Sequence, residues 1–235
     1  MVTRRAARSI LILTMSAILL FTMSFTGSVS AATPRDPVLL VHGWGMNSPT
    51  TWTAMKAHLE ADGYRVYMID FTSNIASNVT EAQELRAKVD SILARTGASK
   101  LDIVTHSMGG LSTRYYIKYL GGSAKVRDVI ELGTPNHGTS VALVAFGISE
   151  GAREMLPNSA FLTDLNRADE TPNPVKWTTV LSLYDEANVP KFNCMLNGAR
   201  NLLVWWPVGH LGLVLDLQTY YWVVEGLNGA GWNIS

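Results

Sequence analysis

The segment Leu101-Asp102-Ile103-Val104-Thr105-His106-Ser107-Met108-Gly109-Gly110 constrains the fold more than any other part of the chain. An apolar, β-type run passes without a linker into a helical stretch, and a single serine stands at the corner. So tight a corner brings strand and helix close together, which demands small residues beside the serine. Gly109 satisfies this on the helix side, and Thr105 requires slightly more room on the strand side. Such a turn holds the serine in a strained backbone with its hydroxyl standing out above the sheet. The start of the following helix aims free N–H groups and the positive end of its dipole at the same point.

The rest of the chain repeats this strand-to-helix order. Apolar runs predict strands over 37–41, 64–71, 100–106, 125–132, 177–184 and 201–206. Amphipathic spacing predicts helices over 51–62, with Trp52, Met55 and Leu59 on one face, and over 80–96, 109–120 and 219–227. Thr80-Glu81-Ala82-Gln83 reads as a capping box opening the second of these. Alternation of this kind implies parallel crossovers and a sheet covered by helices on both faces, an α/β class. Residues 133–175 break the rhythm and hold Pro135, Pro157, Pro172 and Pro174 around a short apolar run. A long irregular insertion in a compact domain is usually functional, and this one is expected over the active face.

Of the 235 residues, 47% are apolar, enough for a sizeable core, and 16% are charged, too few for a disordered or nucleic-acid-coating chain. Nineteen basic and nineteen acidic side chains balance, so bulk charge gives no reason to expect a nucleic-acid partner. A lone cysteine, Cys194, excludes an internal disulfide and a Cys-rich zinc scaffold, and reads as a small core residue. Arg4, Arg5 and Arg8 precede an uncharged stretch over 10–25 and then Gly27-Ser28-Val29-Ser30-Ala31-Ala32. This three-part order predicts a signal peptide over 1–31, leaving a single domain over 32–235 and a secreted protein. A membrane anchor is the competing reading of the same apolar stretch, against which stand the small-residue cleavage site and Pro34.

Three further features support a nucleophilic role for Ser107. His42-Gly43-Trp44-Gly45 follows the first strand, where the backbone N–H of Trp44 would join that of Met108 in an oxyanion hole. His42 is expected to brace that loop. Pro207-Val208-Gly209-His210-Leu211-Gly212 supplies a histidine after the last strand, where a general base belongs. His58 reads as a helix-surface residue, His106 as pointing away from the serine, and His137 as a brace in a turn-rich loop. Asp185 and Glu186 follow the penultimate strand, and either carboxylate would orient the base. Asp164 and Asp169 are poorer candidates.

Together these segments resemble the class 2 lipase family, small secreted bacterial lipases with a minimal, three-layer α/β-hydrolase fold. The resemblance rests on Val38-Leu39-Leu40-Val41-His42-Gly43, on Val104 through Gly110, on Tyr115-Tyr116-Ile117-Lys118, on Leu196-Asn197-Gly198-Ala199-Arg200-Asn201, on Val208 through Leu213 and on Glu225-Gly226-Leu227-Asn228-Gly229. It implies a serine carboxylester hydrolase needing neither metal nor organic cofactor, with Ser107 as nucleophile and His210 as base. Counted forward from Ser182-Leu183-Tyr184, the family's aspartate falls on Asn188. Counted back from Gly198-Ala199-Arg200-Asn201, it falls on Glu186. Asparagine cannot supply the charge, so Glu186 is the first choice of acid and Asp185 the second. An apolar groove formed by Trp44, residues 141–148, Phe161, Trp205 and Trp206 would suit lipid or medium-chain esters. The expected protein is a monomer whose apolar rim touches a lipid surface transiently.

Overall fold

The structure is a computed structural model, and it describes residues 35–231. The signal peptide expected over 1–31 lies outside the described residues. Six strands form one sheet: β1 (Val38–Val41), β2 (Val66–Ile69), β3 (Leu101–His106), β4 (Val126–Leu132), β5 (Lys176–Ser182) and β6 (Arg200–Val204). Their order across the sheet is β2-β1-β3-β4-β5-β6, and all five pairings are parallel.

The long helices are α1 (Ser48–Ala61), α2 (Asn78–Thr96), α3 (Gly109–Tyr119) and α6 (Leu217–Glu225), with the short α4 (Glu150–Glu154) and α5 (Ala160–Leu165) between. Three starts, those of α1, α2 and α6, lie upstream of the positions read from sequence, and capping explains them, Asp216 accepting the Thr219 N–H at the start of α6. Asn47 accepts the Thr50 N–H at 3.0 Å with Pro49 in the first turn, so α1 begins at Ser48. Ser77 accepts the Thr80 N–H at 3.1 Å, so the cap of α2 is Ser77 rather than Thr80.

Side chains alternate along each strand, so both faces of the sheet are apolar. Leu39, Val41, Leu101 and Ile103 pack against Leu85, Val89 and Ile92 of α2 and Tyr116 and Ile117 of α3. Val38, Leu40, Val104 and Ile130 pack against Trp52, Met55 and Leu59 of α1 and Val223 of α6. These are the three expected layers. Cys194 is buried, and burial raises its thiol pKa well above the ordinary value.

From β1 the chain winds to β2 on one side and returns to β3 on the other. A right-handed crossover that reverses direction puts its helix on the opposite face, which is why α1 and α2 cover different faces. The loops leaving β1 and β3 part there and open a crevice at the carboxyl ends of the strands, where open α/β sheets bind ligands. No helix among the described residues is long and apolar enough to cross a membrane.

Candidate active site

Ser107 occupies the corner between β3 and α3 with φ +56°, a left-handed conformation that β-carbon sterics disfavour. Its N–H is held by the Leu132 carbonyl at 2.9 Å. Crowding around it requires glycine at two positions. A β-carbon on Gly109 would stand 2.4 Å from the His42 carbonyl oxygen, and one on Gly43 would stand 2.6 Å from Ser107 Cβ. The β1 loop is thus pressed directly onto the corner.

Two backbone N–H groups are free at this point. Neither the Trp44 N–H nor the Met108 N–H has a protein acceptor among the described residues, although Met108 itself is buried. Trp44 comes from the β1 loop and Met108 from the entry to α3, the two sources expected for an oxyanion hole. The Trp44 indole donates to Ser149 Oγ at 2.8 Å, tying that loop to the 133–175 segment. His42 makes the bracing contact expected of it, with Nδ1 2.9 Å from the Gly43 carbonyl.

Ser107 and His210 line one cavity of about 330 Å³. Neither Ser107 Oγ nor His210 Nε2 has a hydrogen-bond partner among the described residues. A hydroxyl and an imidazole facing one cavity commonly draw together only when a ligand binds between them. The other ring nitrogen, Nδ1, lies 2.8 Å from Asp185 Oδ2. Asp185 is buried and also accepts the Ala187 and Asn188 N–H groups on Oδ1 and the Asn188 amide on Oδ2. Burial alone would raise its pKa; the hydrogen bonds and charge of His210, with those of Asn188 and Ala187, outweigh it and hold the carboxyl below its ordinary range.

Of the two carboxylates expected to orient the base, the structure sets Asp185, not the preferred Glu186, against the His210 ring. The Glu186 carboxylate lies at the cavity rim and accepts the backbone N–H of His210 at 2.9 Å, while Asp185 holds the ring. The turn wraps Asp185 inward because its Oδ1 satisfies two successive backbone N–H groups, and Glu186, next along the chain, is left facing out. Asn188, the position reached by counting forward, is also in the site: its amide nitrogen lies 2.8 Å from Asp185 Oδ2 and 3.4 Å from His210 Nδ1. Spacing alone could not show that the carboxylate meeting the ring stands three residues before the position reached by that count.

The wall of the cavity is formed by Trp44, Val141, Ala142, Val144, Ala145 and Met155, of which all but Trp44 belong to the 133–175 segment. Three aromatics of the expected groove lie elsewhere. Phe161 stacks on Tyr115 beside α3, Trp206 packs on Trp222, and Trp205 is 70% exposed away from the cavity. His137 pairs with Glu170 at 3.0 Å, a bracing contact outside the cavity, and His58 is exposed on α1. His106 points away from the serine but towards His210: its Nε2 is 3.1 Å from the His210 carbonyl oxygen, a contact that strand alternation does not reveal. No group of three or more metal-ligating side chains is present among the described residues.

Known proteins resemble this chain in sequence and in fold. A triacylglycerol lipase of Pseudarthrobacter phenanthrenivorans is 34% identical over 119 residues, covering 47% of this chain and 36% of that one. A triacylglycerol lipase of Vibrio cholerae is 30% identical over 133 residues, covering 50% and 42%. The matched stretch is thus well under half the length of either relative. Among solved structures, Aspergillus fumigatus lipase B superposes with a TM-score of 0.77 at 20% identity over 85% of this chain and 54% of that one. Mature Bacillus licheniformis lipase BlEst2 gives 0.71 at 20% identity over 83% and 93%. These likenesses show a common α/β-hydrolase fold. The sequence model of the family Lipase (class 2) matches residues 35–201, from β1 through the acid-bearing turn into β6, and this chain belongs to the class 2 lipase family.

Proposed function

We propose that the protein is a serine carboxylester hydrolase acting on lipid or medium-chain esters through an acyl-enzyme. The observation that carries this reading is the strained Ser107 sharing a cavity with His210, whose far nitrogen is held by buried Asp185. His210 takes the proton from Ser107 as the hydroxyl attacks the ester carbonyl. The Trp44 and Met108 N–H groups receive the developing oxyanion, and Asp185 stabilises the imidazolium. His210 then passes the proton to the departing alcohol. Water enters, gives its proton to His210 and releases the acid.

The apolar wall supports a hydrocarbon acyl chain. Leu143, Val144, Ile148 and Leu211 form an exposed apolar rim, Val144 being 84% exposed, which supports transient contact with a lipid surface. The basic, apolar and small-residue order of the first 31 residues supports export. Turnover of p-nitrophenyl esters of increasing chain length tests the reading, with Ser107→Ala as control. Ser107-dependent hydrolysis peaking at medium chains is expected. A peak at acetate makes the protein a short-chain esterase, and full activity in Ser107→Ala overturns the serine mechanism.

A further inference from the structure

His210 sits on an irregular loop beyond the edge strand β6, ahead of the short 3-10 turn Leu211–Val214. Asp185 fixes the ring orientation, but the ring pivots on a backbone that no sheet or long helix holds. Two side chains hold that backbone instead. On one side Glu186 Oε2 accepts the His210 N–H at 2.9 Å. On the other, His106 Nε2 meets the His210 carbonyl oxygen at 3.1 Å, a closer contact than the 3.4 Å one the same oxygen makes with the Leu213 N–H.

The carbonyl only accepts, so His106 carries its proton on Nε2. Its Nδ1 is then a bare acceptor, buried without a partner. A buried, unsatisfied nitrogen is costly, and an apolar side chain would fill the same space without that cost. The donated N–H is what the imidazole adds. The ring lies between Trp52 and His210, with centroids 4.5 Å from those of His210. Burial first, and the nearness of His210 second, push its pKa down to about 3. A neutral donor supports His210 without setting a second positive charge against an imidazolium.

The chain positions make a pattern: His106 adjoins Ser107 and Glu186 adjoins Asp185. We propose that His106 and Glu186 are positioning residues that clamp the His210 peptide from both sides, the neighbour of the nucleophile holding its carbonyl and the neighbour of the acid holding its N–H. The assignment rests on His210 being the base. Its consequence is that the serine-to-imidazole approach is set through one residue of β3, and the acid-to-imidazole approach through one residue of the 185–188 turn.

The test compares His106→Leu, His106→Gln and His106→Asn with wild type on p-nitrophenyl butyrate, with melting temperatures in parallel. Glutamine carries its amide about where Nε2 stands, whereas asparagine stops short of the carbonyl. His106→Leu is expected to lower kcat by about tenfold to a hundredfold with KM within twofold, the scale of a small misplacement of a catalytic group. His106→Gln is expected within threefold of wild type, and His106→Asn as slow as the leucine variant. Equal rates for glutamine and asparagine, or a leucine variant within twofold of wild type, overturn the clamp. If His106→Leu does not fold, the glutamine and asparagine pair decides. Undiminished turnover in Ser107→Ala identifies a different failure, that of the serine mechanism, and removes the clamp with it.

Discussion

Between Tyr184 and Val189 the chain offers one imidazole three polar side chains, and burial separates their tasks. Asp185 and Asn188 are buried beside the ring, and Glu186 stays at the rim on the backbone N–H. Asp185→Asn is expected to lower kcat by at least about a hundredfold, since the amide neither fixes the productive tautomer nor stabilises the imidazolium. Glu186→Gln keeps an oxygen acceptor and is expected to cost less than about tenfold. Comparable small losses in both, measured as kcat on p-nitrophenyl butyrate, contradict this division. Asp185 also links stability to pH. Its folded pKa lies below that of the unfolded chain, so its contribution is present above the ordinary carboxyl pKa of about 4 and disappears as pH falls through the depressed value. Melting temperatures measured downward from pH 7 should fall less steeply in Asp185→Asn than in wild type over that acid range.

Among the elements, the tightest junction is that of the β1 loop with the β3–α3 corner. Gly43→Ala would place a β-carbon 2.6 Å from Ser107 Cβ, so the loop carrying Trp44 must retreat. A loss of more than tenfold in kcat is expected with a modest drop in melting temperature, and unchanged kcat would show that the loop yields freely. A second junction joins α2, α3 and α4. The Asn78 amide nitrogen donates to Glu154 at 2.8 Å, leaving its oxygen to accept from Ser112 Oγ at 2.9 Å. Ser112 Oγ has one proton and a second acceptor in reach, Glu81 Oε2 at 2.6 Å, so a proton on Glu81 lets both contacts be hydrogen bonds. Burial first, then the nearby Glu154 and Glu84 charges, act against the Ser112 hydrogen bond to push Glu81 up to about 8. A folded pKa above the unfolded one gives stability that is complete below about 4.5 and is lost as pH rises towards 8. Once the unfolded carboxyl is ionised, that loss runs at about 1.4 kcal/mol per pH unit. Glu81→Gln retains the donor without titrating. Its melting temperature should fall less than that of wild type between pH 5 and 8, and parallel curves would refute the protonated junction.

For the molecule as a whole, cohesion comes from two apolar layers on one parallel sheet, with no covalent crosslink. Cys194 is sealed in the core, so a thiol reagent such as Ellman's reagent should label it only under denaturing conditions. Reductant should leave the melting temperature unchanged. Rapid labelling of the native protein would mean that the loop after β5 opens readily. The same layering was legible beforehand. Six apolar runs and four long helices were readable because burial on both sheet faces leaves nearly continuous apolar strands, whereas α4 and α5 are too short to show a period.

Residue order alone determined the strand–serine–helix corner, the loop glycines that let it close, the late loop that carries His210 and the two apolar faces of the sheet. All of these follow from local sterics and hydrophobic spacing, which act over a few neighbouring residues. Which carboxylate meets His210, which aromatics reach the cavity, and that His106 supports the His210 backbone were decided by the tertiary structure. Those outcomes depend on how the 185–188 turn folds inward and on parallel strands bringing residues 106 and 210 together, contacts between segments far apart in the chain that no local pattern encodes.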